Sequence, residues 1–199
     1  MILEFCNIGQ LDIWLIDNKK KAYDRTFEMQ LCKIVNGICD GMLHLEIKKL
    51  VHKSLAARNV LLNKPPRSSS SELIPKIYGF CPTPKIDEDG NEQIPIQSAA
   101  PEYFESATNL TSKSDVWSFG VVLWEIFSLG EEPYRGKTRE GIRTFLNNGN
   151  RLRRPKLDFN YDLMTMCWHR DAGSRPTFEE IKCELEAHPH TLKAKSHYE

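Results

Sequence analysis

The residues with the most chemical potential lie in one short segment, residues 51 to 62, which contains a histidine, a serine, an arginine and an asparagine (His52, Ser54, Arg58 and Asn59). A serine hydroxyl is a weak nucleophile and not a base at neutral pH. An asparagine offers one neutral amide oxygen, whereas Mg²⁺ favours carboxylates and phosphates. Ser54 therefore supplies no general base, and Asn59 alone supplies no strong metal site.

The cysteines offer no second centre of chemistry. None of them has C-x-x-C spacing, which disfavours a zinc site and gives no disulfide framework. We expect them to be reduced and mostly packed in the interior. There are six: Cys6, Cys32, Cys39, Cys81, Cys167 and Cys183.

Two long helices are predicted, one on each side of this segment. From Thr26 to Glu46, apolar residues recur at three- and four-residue steps, which predicts a helix with one buried face. From Ser114 to Ser128 the pattern is apolar on most sides, which is typical of a central, buried helix. Asp115 lies in the first turn of that helix, where a buried carboxylate is unusual.

Smaller elements complete the prediction. Short helices are expected near residues 139 to 147, 161 to 168 and 178 to 187. The last begins with a capping box, because Thr177 and Glu180 are three residues apart. The apolar segments 60 to 62 and 73 to 77 predict a small β-hairpin.

Composition predicts one soluble, intracellular domain without affinity for nucleic acid or membranes. The chain has 199 residues, 40% of them hydrophobic, and its 27 basic and 27 acidic residues give a net charge of +0. The longest apolar stretch, residues 119 to 127, is far too short to span a bilayer, and the N-terminus lacks signal-peptide features. The neutral total hides two opposed segments, an acidic one at 82 to 105 and a basic one at 135 to 156.

Residues 51 to 62 read V-H-K-S-L-A-A-R-N-V-L-L and resemble the catalytic loop of protein tyrosine kinases in its receptor-type variant, H-R-D-L-A-A-R-N-V-L-L. The resemblance continues in order through A-P-E at 100 to 102, S-D-V-W-S-F-G at 114 to 120, L-W-E-I-F-S-L-G at 123 to 130, P-Y at 133 to 134, C-W at 167 to 168 and R-P-T-F at 175 to 178. Residues 2 to 11 look like the hinge between the two kinase lobes, with Leu3 at the gatekeeper position.

This resemblance implies an α+β, mainly α fold, namely a protein-kinase-like C-terminal lobe with a remnant hinge and a small β-hairpin. The lobe would occupy residues 1 to 188, and residues 189 to 199 would form a flexible tail. The 199 residues contain no Gly-rich phosphate loop, V-A-I-K lysine or helix-C glutamate, so we expect the upper half of an ATP site to be absent from this chain.

The resemblance also shows where catalytic groups are replaced. The family's catalytic-base aspartate corresponds to Ser54, and the magnesium-binding D-F-G aspartate corresponds to Gly79 in K-I-Y-G-F-C. Arg58 and the second metal position, Asn59, are retained. ATP and magnesium are implied only by the family, and we expect no bound cofactor. A residual, weak adenine slot would be formed by Leu3, Cys6 and Leu61.

Other retained residues are structural in the family. By resemblance, Asp115 receives backbone N–H groups of the catalytic loop, His52 packs beneath that loop, and Glu102 pairs with Arg175. The activation segment, residues 79 to 102, has no tyrosine between Pro82 and Pro101. Its acidic residues either pair with Lys53 or are simply solvated (Asp87, Glu88 and Asp89).

The sequence therefore favours a tyrosine-kinase-like pseudokinase that binds a protein partner and performs no phosphoryl transfer. The expected contact surfaces are the basic stretch around residues 139 to 156 and the apolar face that an upper lobe would cover. Its expected location is the cytoplasm, alone or as the cytoplasmic portion of a longer receptor-type chain. Three alternatives stay open. The first is a fragment or truncated gene model of a tyrosine kinase that transfers the ATP γ-phosphate to protein tyrosine. The second is an enzyme with an atypical mechanism that uses other residues, and the third is a decayed, unused product.

Overall fold

Helices dominate the part of the chain that the computed structural model describes, which comprises residues 4–65, 72–79, 96–106, 110–157 and 159–187. The α-helices are α1 (Leu11–Asp17), α2 (Arg25–Ile47), α3 (Ser112–Phe127), α4 (Arg139–Asn147), α5 (Tyr161–Cys167) and α6 (Phe178–Ala187). Short 3-10 turns lie at Lys19–Lys21, Ala57–Asn59, Ile96–Ser98, Pro101–Phe104 and Ala172–Ser174. The predicted tail, residues 189 to 199, lies outside the described residues.

The two predicted long helices are confirmed and form the centre of the molecule. At the start of α2, the Asp24 carboxylate accepts a hydrogen bond from the Thr26 N–H at 2.8 Å. At the start of α3, Thr111 and Ser114 form a capping box. Nearly every side chain of α3 is buried, including Asp115, so this helix is the core element against which the others pack.

A three-stranded antiparallel sheet lies beside α2, with strands β1 (Gly9–Gln10), β2 (Val60–Asn63) and β3 (Ile74–Ile77) in that order. The predicted hairpin is confirmed as β2 and β3, where Val60 pairs with Ile77. Strand β1 and helix α1 were not predicted. Residues 9 to 17 are too short to display a helix or strand period, and β1 forms because Gly9 pairs with Leu62, fifty-three positions away.

Close approaches between elements occur at glycines. A Cβ atom on Gly120 of α3 would lie 2.7 Å from Trp168 Nε1 and 2.8 Å from Cys167 Cβ, so only glycine allows α5 to pack this closely. A Cβ atom on Gly37 of α2 would lie 2.6 Å from Pro75 Cγ of β3. These contacts bring the sheet and α5 onto the two long helices, and the segments before β2 and after β3 contain most of the residues discussed below.

The shorter helices match their predicted ranges, and the predicted capping box of α6 is present. The Thr177 N–H donates to Glu180 Oε2 at 2.7 Å, and the Glu180 N–H donates to Thr177 Oγ1 at 3.2 Å. The described cysteines are free thiols, with Cys39 and Cys167 buried as expected, whereas Cys183 is exposed. Within the described ranges, no helix has the length and apolar character needed to cross a bilayer.

Candidate functional site

The loop between α2 and β2 is anchored to the central helix by one buried carboxylate. Asp115 accepts hydrogen bonds from the backbone N–H groups of His52 at 2.7 Å and Lys53 at 2.9 Å. Burial raises the pKa of Asp115 to about 6, although the two N–H donors oppose that rise. The predicted role of Asp115 is confirmed, and one of the two donors, Lys53, has a left-handed backbone with φ of 67°.

His52 is completely buried beneath the loop, as predicted. Its Nδ1 atom accepts a hydrogen bond from the Ser54 N–H at 3.2 Å, and its Nε2 atom lies 3.1 Å from the Tyr78 carbonyl oxygen. Because the carbonyl can only accept, the ring proton is on Nε2. Burial lowers the pKa of His52 to about 4, so the ring is neutral and acts as a bridge between the loop and residue 78.

The Ser54 hydroxyl donates its hydrogen bond to a backbone carbonyl oxygen and not to a base. Its Oγ donates to the Gly79 carbonyl oxygen at 2.5 Å and lies 3.3 Å from His52 Nδ1. Since that Nδ1 atom already accepts from the Ser54 N–H, the histidine does not draw off the hydroxyl proton. Ser54 is therefore a structural link between the loop and Gly79, and it is not an activated nucleophile.

Asn59 and Gly79, which the resemblance aligns with the family's two metal positions, lie side by side. A Cβ atom on Gly79, whose φ is +81°, would lie 3.1 Å from Asn59 Oδ1, so a side chain at position 79 would be adjacent to that amide. Asn59 Nδ2 donates to the Ser54 carbonyl oxygen at 2.6 Å. No group of three or more His, Cys, Asp or Glu side chains in the described ranges could hold a metal ion. The residues present do not fit magnesium.

Glu125 of α3 holds the other end of the loop, a role that sequence analysis missed. Its Oε2 atom accepts from the Ala57 N–H at 2.9 Å. Burial raises the pKa of Glu125 to about 7, opposed by that N–H and by the charge of Arg58. The available signal was a single charge inside the apolar stretch 119 to 127. The retained Arg58 is exposed, and its carbonyl oxygen accepts from the Tyr78 hydroxyl at 2.8 Å.

The segment predicted to be the hinge runs along β2. The Asn7 side chain donates to the Lys64 carbonyl oxygen at 3.0 Å and accepts from the Lys64 N–H at 2.9 Å. Leu61 is half-buried and pairs with Gln10, and Cys6 is also half-buried but lies further along the strand pair, beyond Asn7. Of the predicted adenine slot, Leu3 lies outside the described residues.

The predicted ion pair between Glu102 and Arg175 is confirmed and is bidentate. Arg175 donates to the two carboxylate oxygens at 2.7 and 2.9 Å, and its side chain is fully buried. It also donates to the Lys113 carbonyl oxygen at 2.8 Å, while Ser114 Oγ donates to Glu102 at 2.7 Å. Burial raises the pKa of Glu102, but the hydrogen bonds and charge of Arg175 outweigh that effect and lower it. Asp87, Glu88 and Asp89, the predicted partners of Lys53, lie outside the described residues.

A loop anchored from below by a buried aspartate, a buried Glu–Arg pair beside it and a central apolar helix together define a protein-kinase-like C-terminal lobe. A family model described as protein tyrosine and serine/threonine kinase matches residues 1–185. The chain belongs to this family, and its curated relatives identify it with the tyrosine kinases.

Three relatives illustrate the match. Human ephrin type-A receptor 1 is 34% identical over 211 residues, which covers 100% of this chain and 20% of that receptor. The mouse cytoplasmic tyrosine-protein kinase BMX is 34% identical over 177 residues, which covers 85% of this chain and 26% of that kinase. The putative insulin-like peptide receptor of Hydra vulgaris is 39% identical over 165 residues, which covers 79% of this chain and 11% of that receptor. The chain spans about a quarter or less of the length of these relatives.

Proposed function

We propose that this tyrosine-kinase-family chain is a pseudokinase, which acts by binding a protein partner and does not transfer phosphate. One observation carries the proposal. The hydroxyl of Ser54, at the position of the family's catalytic base, donates a hydrogen bond to the carbonyl oxygen of Gly79, at the position of the family's metal carboxylate. Ser54 and Gly79 are thus joined by a hydrogen bond, and neither residue offers a base or an anionic ligand.

The arrangement of Asn59 supports the same proposal. A lone amide oxygen is a weak ligand for Mg²⁺ unless carboxylates or phosphates complete the coordination sphere. Asn59 is already held by its hydrogen bond to the Ser54 carbonyl oxygen, and its neighbour Gly79 has no side chain. Arg58, retained from the family motif, is exposed.

The retained structural residues fit a binding role equally well. Asp115 and the Glu102–Arg175 pair hold the loop and the segment before α3 in place without any requirement for chemistry. We place the protein in the cytoplasm, alone or as the cytoplasmic portion of a receptor-type chain, because its relatives include a kinase named as cytoplasmic and several receptors. Any adenine binding at Leu3, Cys6 and Leu61 would be weak and independent of magnesium.

The proposal predicts no phosphoryl transfer. Loss of a positioned general base alone costs about 100- to 10,000-fold in rate, and loss of the metal carboxylate adds to that cost. The purified chain should therefore transfer no radiolabel from [γ-³²P]ATP to a tyrosine peptide in the presence of Mg²⁺. The control is the Lys53→Ala/Asn59→Ala double variant. Transfer by the parent chain above that control would contradict the proposal and favour a catalytic kinase.

A further inference from the structure

The chain contains two asparagines that are followed directly by glycine, Asn36 before Gly37 and Asn148 before Gly149. An asparagine in this context is prone to lose its side-chain amide spontaneously, because glycine has no Cβ atom to shield the backbone nitrogen that attacks the amide carbon. Both asparagines are exposed, but the structure holds the two dipeptides in very different ways. That difference decides which of them can react in the folded protein.

The first dipeptide lies in the middle of α2, where the backbone is fixed. A Cβ atom on Gly37 would lie 2.6 Å from Pro75 Cγ, so the backbone at this point is packed directly against β3. The Asn36 side chain is also held, since its Nδ2 atom donates to the Cys32 carbonyl oxygen at 3.0 Å. Attack by the Gly37 nitrogen therefore requires the centre of a long, packed helix to unwind.

The second dipeptide forms the turn that ends α4. Asn148 is the C-cap residue, and Gly149 has φ of +80°, with no heavy atom of the described residues within 4 Å of the position of a Cβ atom. The Gly149 N–H donates to the Leu146 carbonyl oxygen at 3.0 Å, and the Asn150 N–H donates to that of Phe145 at 3.2 Å. These are the last bonds of an exposed helix end, and such ends open locally at little cost in free energy.

We propose that Asn148 is a site of spontaneous deamidation in the folded protein and that folding protects Asn36. When the last turn of α4 opens, the Gly149 nitrogen loses its proton to water and forms a bond to Cγ of Asn148. The bond between Cγ and Nδ2 breaks, and Nδ2 leaves as ammonia. Water then opens the resulting succinimide ring at one of its two carbonyl groups, which gives aspartate or isoaspartate at this position.

The reaction changes the surface on which it occurs. It places a carboxylate in the basic stretch around residues 139 to 156, one of the contact surfaces expected from the sequence. The carboxylate lies at the C-terminal end of α4, where the helix dipole disfavours negative charge. Isoaspartate also brings its Cβ atom into the main chain, which displaces the N–H groups of Gly149 and Asn150 from the carbonyl groups that they bond. Deamidation therefore lowers the positive charge of the stretch and loosens the end of α4.

The test is peptide mapping by mass spectrometry of the purified full chain after incubation at neutral pH and physiological temperature. We expect loss of the amide at Asn148 to be at least about tenfold faster than at Asn36, because a helix end opens far more often than a packed helix centre. The rate at Asn148 should rise with pH, since the attacking nitrogen must lose its proton. Asn148→Gln should abolish the reaction, because the longer side chain does not form the five-membered ring.

Two controls separate the effect of folding from that of sequence. The matched variant Asn147→Gln, one position earlier on the same exposed turn, should leave the rate at Asn148 within about twofold. In guanidinium chloride the two dipeptides should react at rates within about threefold of each other, because the unfolded chain holds neither of them in place.

Three outcomes would overturn the inference. They are equal rates at Asn36 and Asn148 in the folded protein, a faster reaction at Asn36, and a difference between the two that persists undiminished in guanidinium chloride. Absence of reaction at Asn148 in the folded protein, over a period in which the unfolded chain reacts, would also overturn it. None of these measurements involves nucleotide, a partner or phosphoryl transfer, so the inference and the pseudokinase proposal can fail separately.

Discussion

At position 54, where the family resemblance leads us to expect the group that accepts a proton in a kinase, a serine hydroxyl donates a hydrogen bond to the Gly79 carbonyl oxygen. The replacement is local, because the surrounding hydrogen bonds of His52 and Asp115 are retained. The identity of the residue was evident from the motif. Its bond to Gly79 was not, because the sequence motif does not place residues 25 positions apart in contact.

The pH dependence of stability should reveal the half-buried Glu125. Its folded-state pKa of about 7 is above its ordinary value of 4.5, so the folded protein holds this proton more tightly than the unfolded chain does. Stability is therefore lost as the pH rises from about 4.5 to about 7, by on the order of 2 kcal/mol. Glu125→Gln cannot ionise, so its melting temperature relative to the parent should rise across that window and level off above it.

The matched control for this experiment is Glu179→Gln on the exposed side of α6. Its melting temperature should follow that of the parent at every pH. His52 has the opposite effect on stability. Its pKa is lowered, so it destabilises the protein as the pH falls from about 6.5 toward 4. Comparing the variant directly with the parent at each pH removes this contribution, because both proteins contain His52. A constant difference between Glu125→Gln and the parent from pH 4.5 to 8 would show that the carboxylate is not perturbed.

Arg175→Ala should destabilise the protein strongly. It leaves Glu102 without its bidentate partner and frees the Lys113 carbonyl oxygen, and breaking such a pair costs about 3–5 kcal/mol. That is a large share of a typical total of about 5–15 kcal/mol. Urea unfolding measures the change. Asn59→Ala, which loses one hydrogen bond to Ser54, should cost only about 1 kcal/mol.

Arg143→Ala on exposed α4 is the matched arginine control and should change stability by less than about 0.5 kcal/mol. If Arg175→Ala and Arg143→Ala unfold at the same urea concentration, the buried pair contributes nothing to the lobe.

At the scale of elements, the packing of α5 on α3 depends on Gly120. Gly120→Ala places a methyl group 2.7 Å from Trp168 Nε1, and overpacking of this kind costs about 1–3 kcal/mol. The gain of up to about 1 kcal/mol in helix propensity does not offset it. The melting temperature should therefore fall. Gly141→Ala in α4 is the matched control, because the added Cβ atom would have the Thr138 hydroxyl as its nearest neighbour, at 3.3 Å. If the melting temperature of Gly141→Ala falls as far as that of Gly120→Ala, this explanation is contradicted.

Helices and strands whose apolar residues recur with a clear period were predictable from the sequence, and elements without such a period were not. Helix α2 shows a repeated apolar face, and α3 is apolar on most sides, so both were predicted within about two residues of their ends. Helix α1 and strand β1 have too few residues for either period and depend on contacts with β2. The same limit applies to the site, where Glu125 meets Ala57 across 68 positions of sequence.

At the scale of the whole molecule, magnesium should not increase the stability of the chain in the presence of ATP. A ligand at about 100 times its dissociation constant stabilises by roughly 2.7 kcal/mol, which raises the melting temperature of a domain of this size by about 5–10 °C. Since Gly79 and Asn59 offer no anionic ligand, melts with millimolar ATP should agree within about 1 °C with and without Mg²⁺. A clear magnesium-dependent rise would contradict the assignment of these residues.

The bonds from His52 and Lys53 to Asp115 join residues 63 and 62 positions apart, and they place two loop amides inside the molecule. Amide protons in a surface loop normally exchange with solvent through small local openings, whereas those in the core exchange only when the molecule unfolds. These two protons can leave only when the loop separates from the central helix. Deuterium uptake at His52 and Lys53 should therefore be as slow as in the middle of α3 and should report on global unfolding.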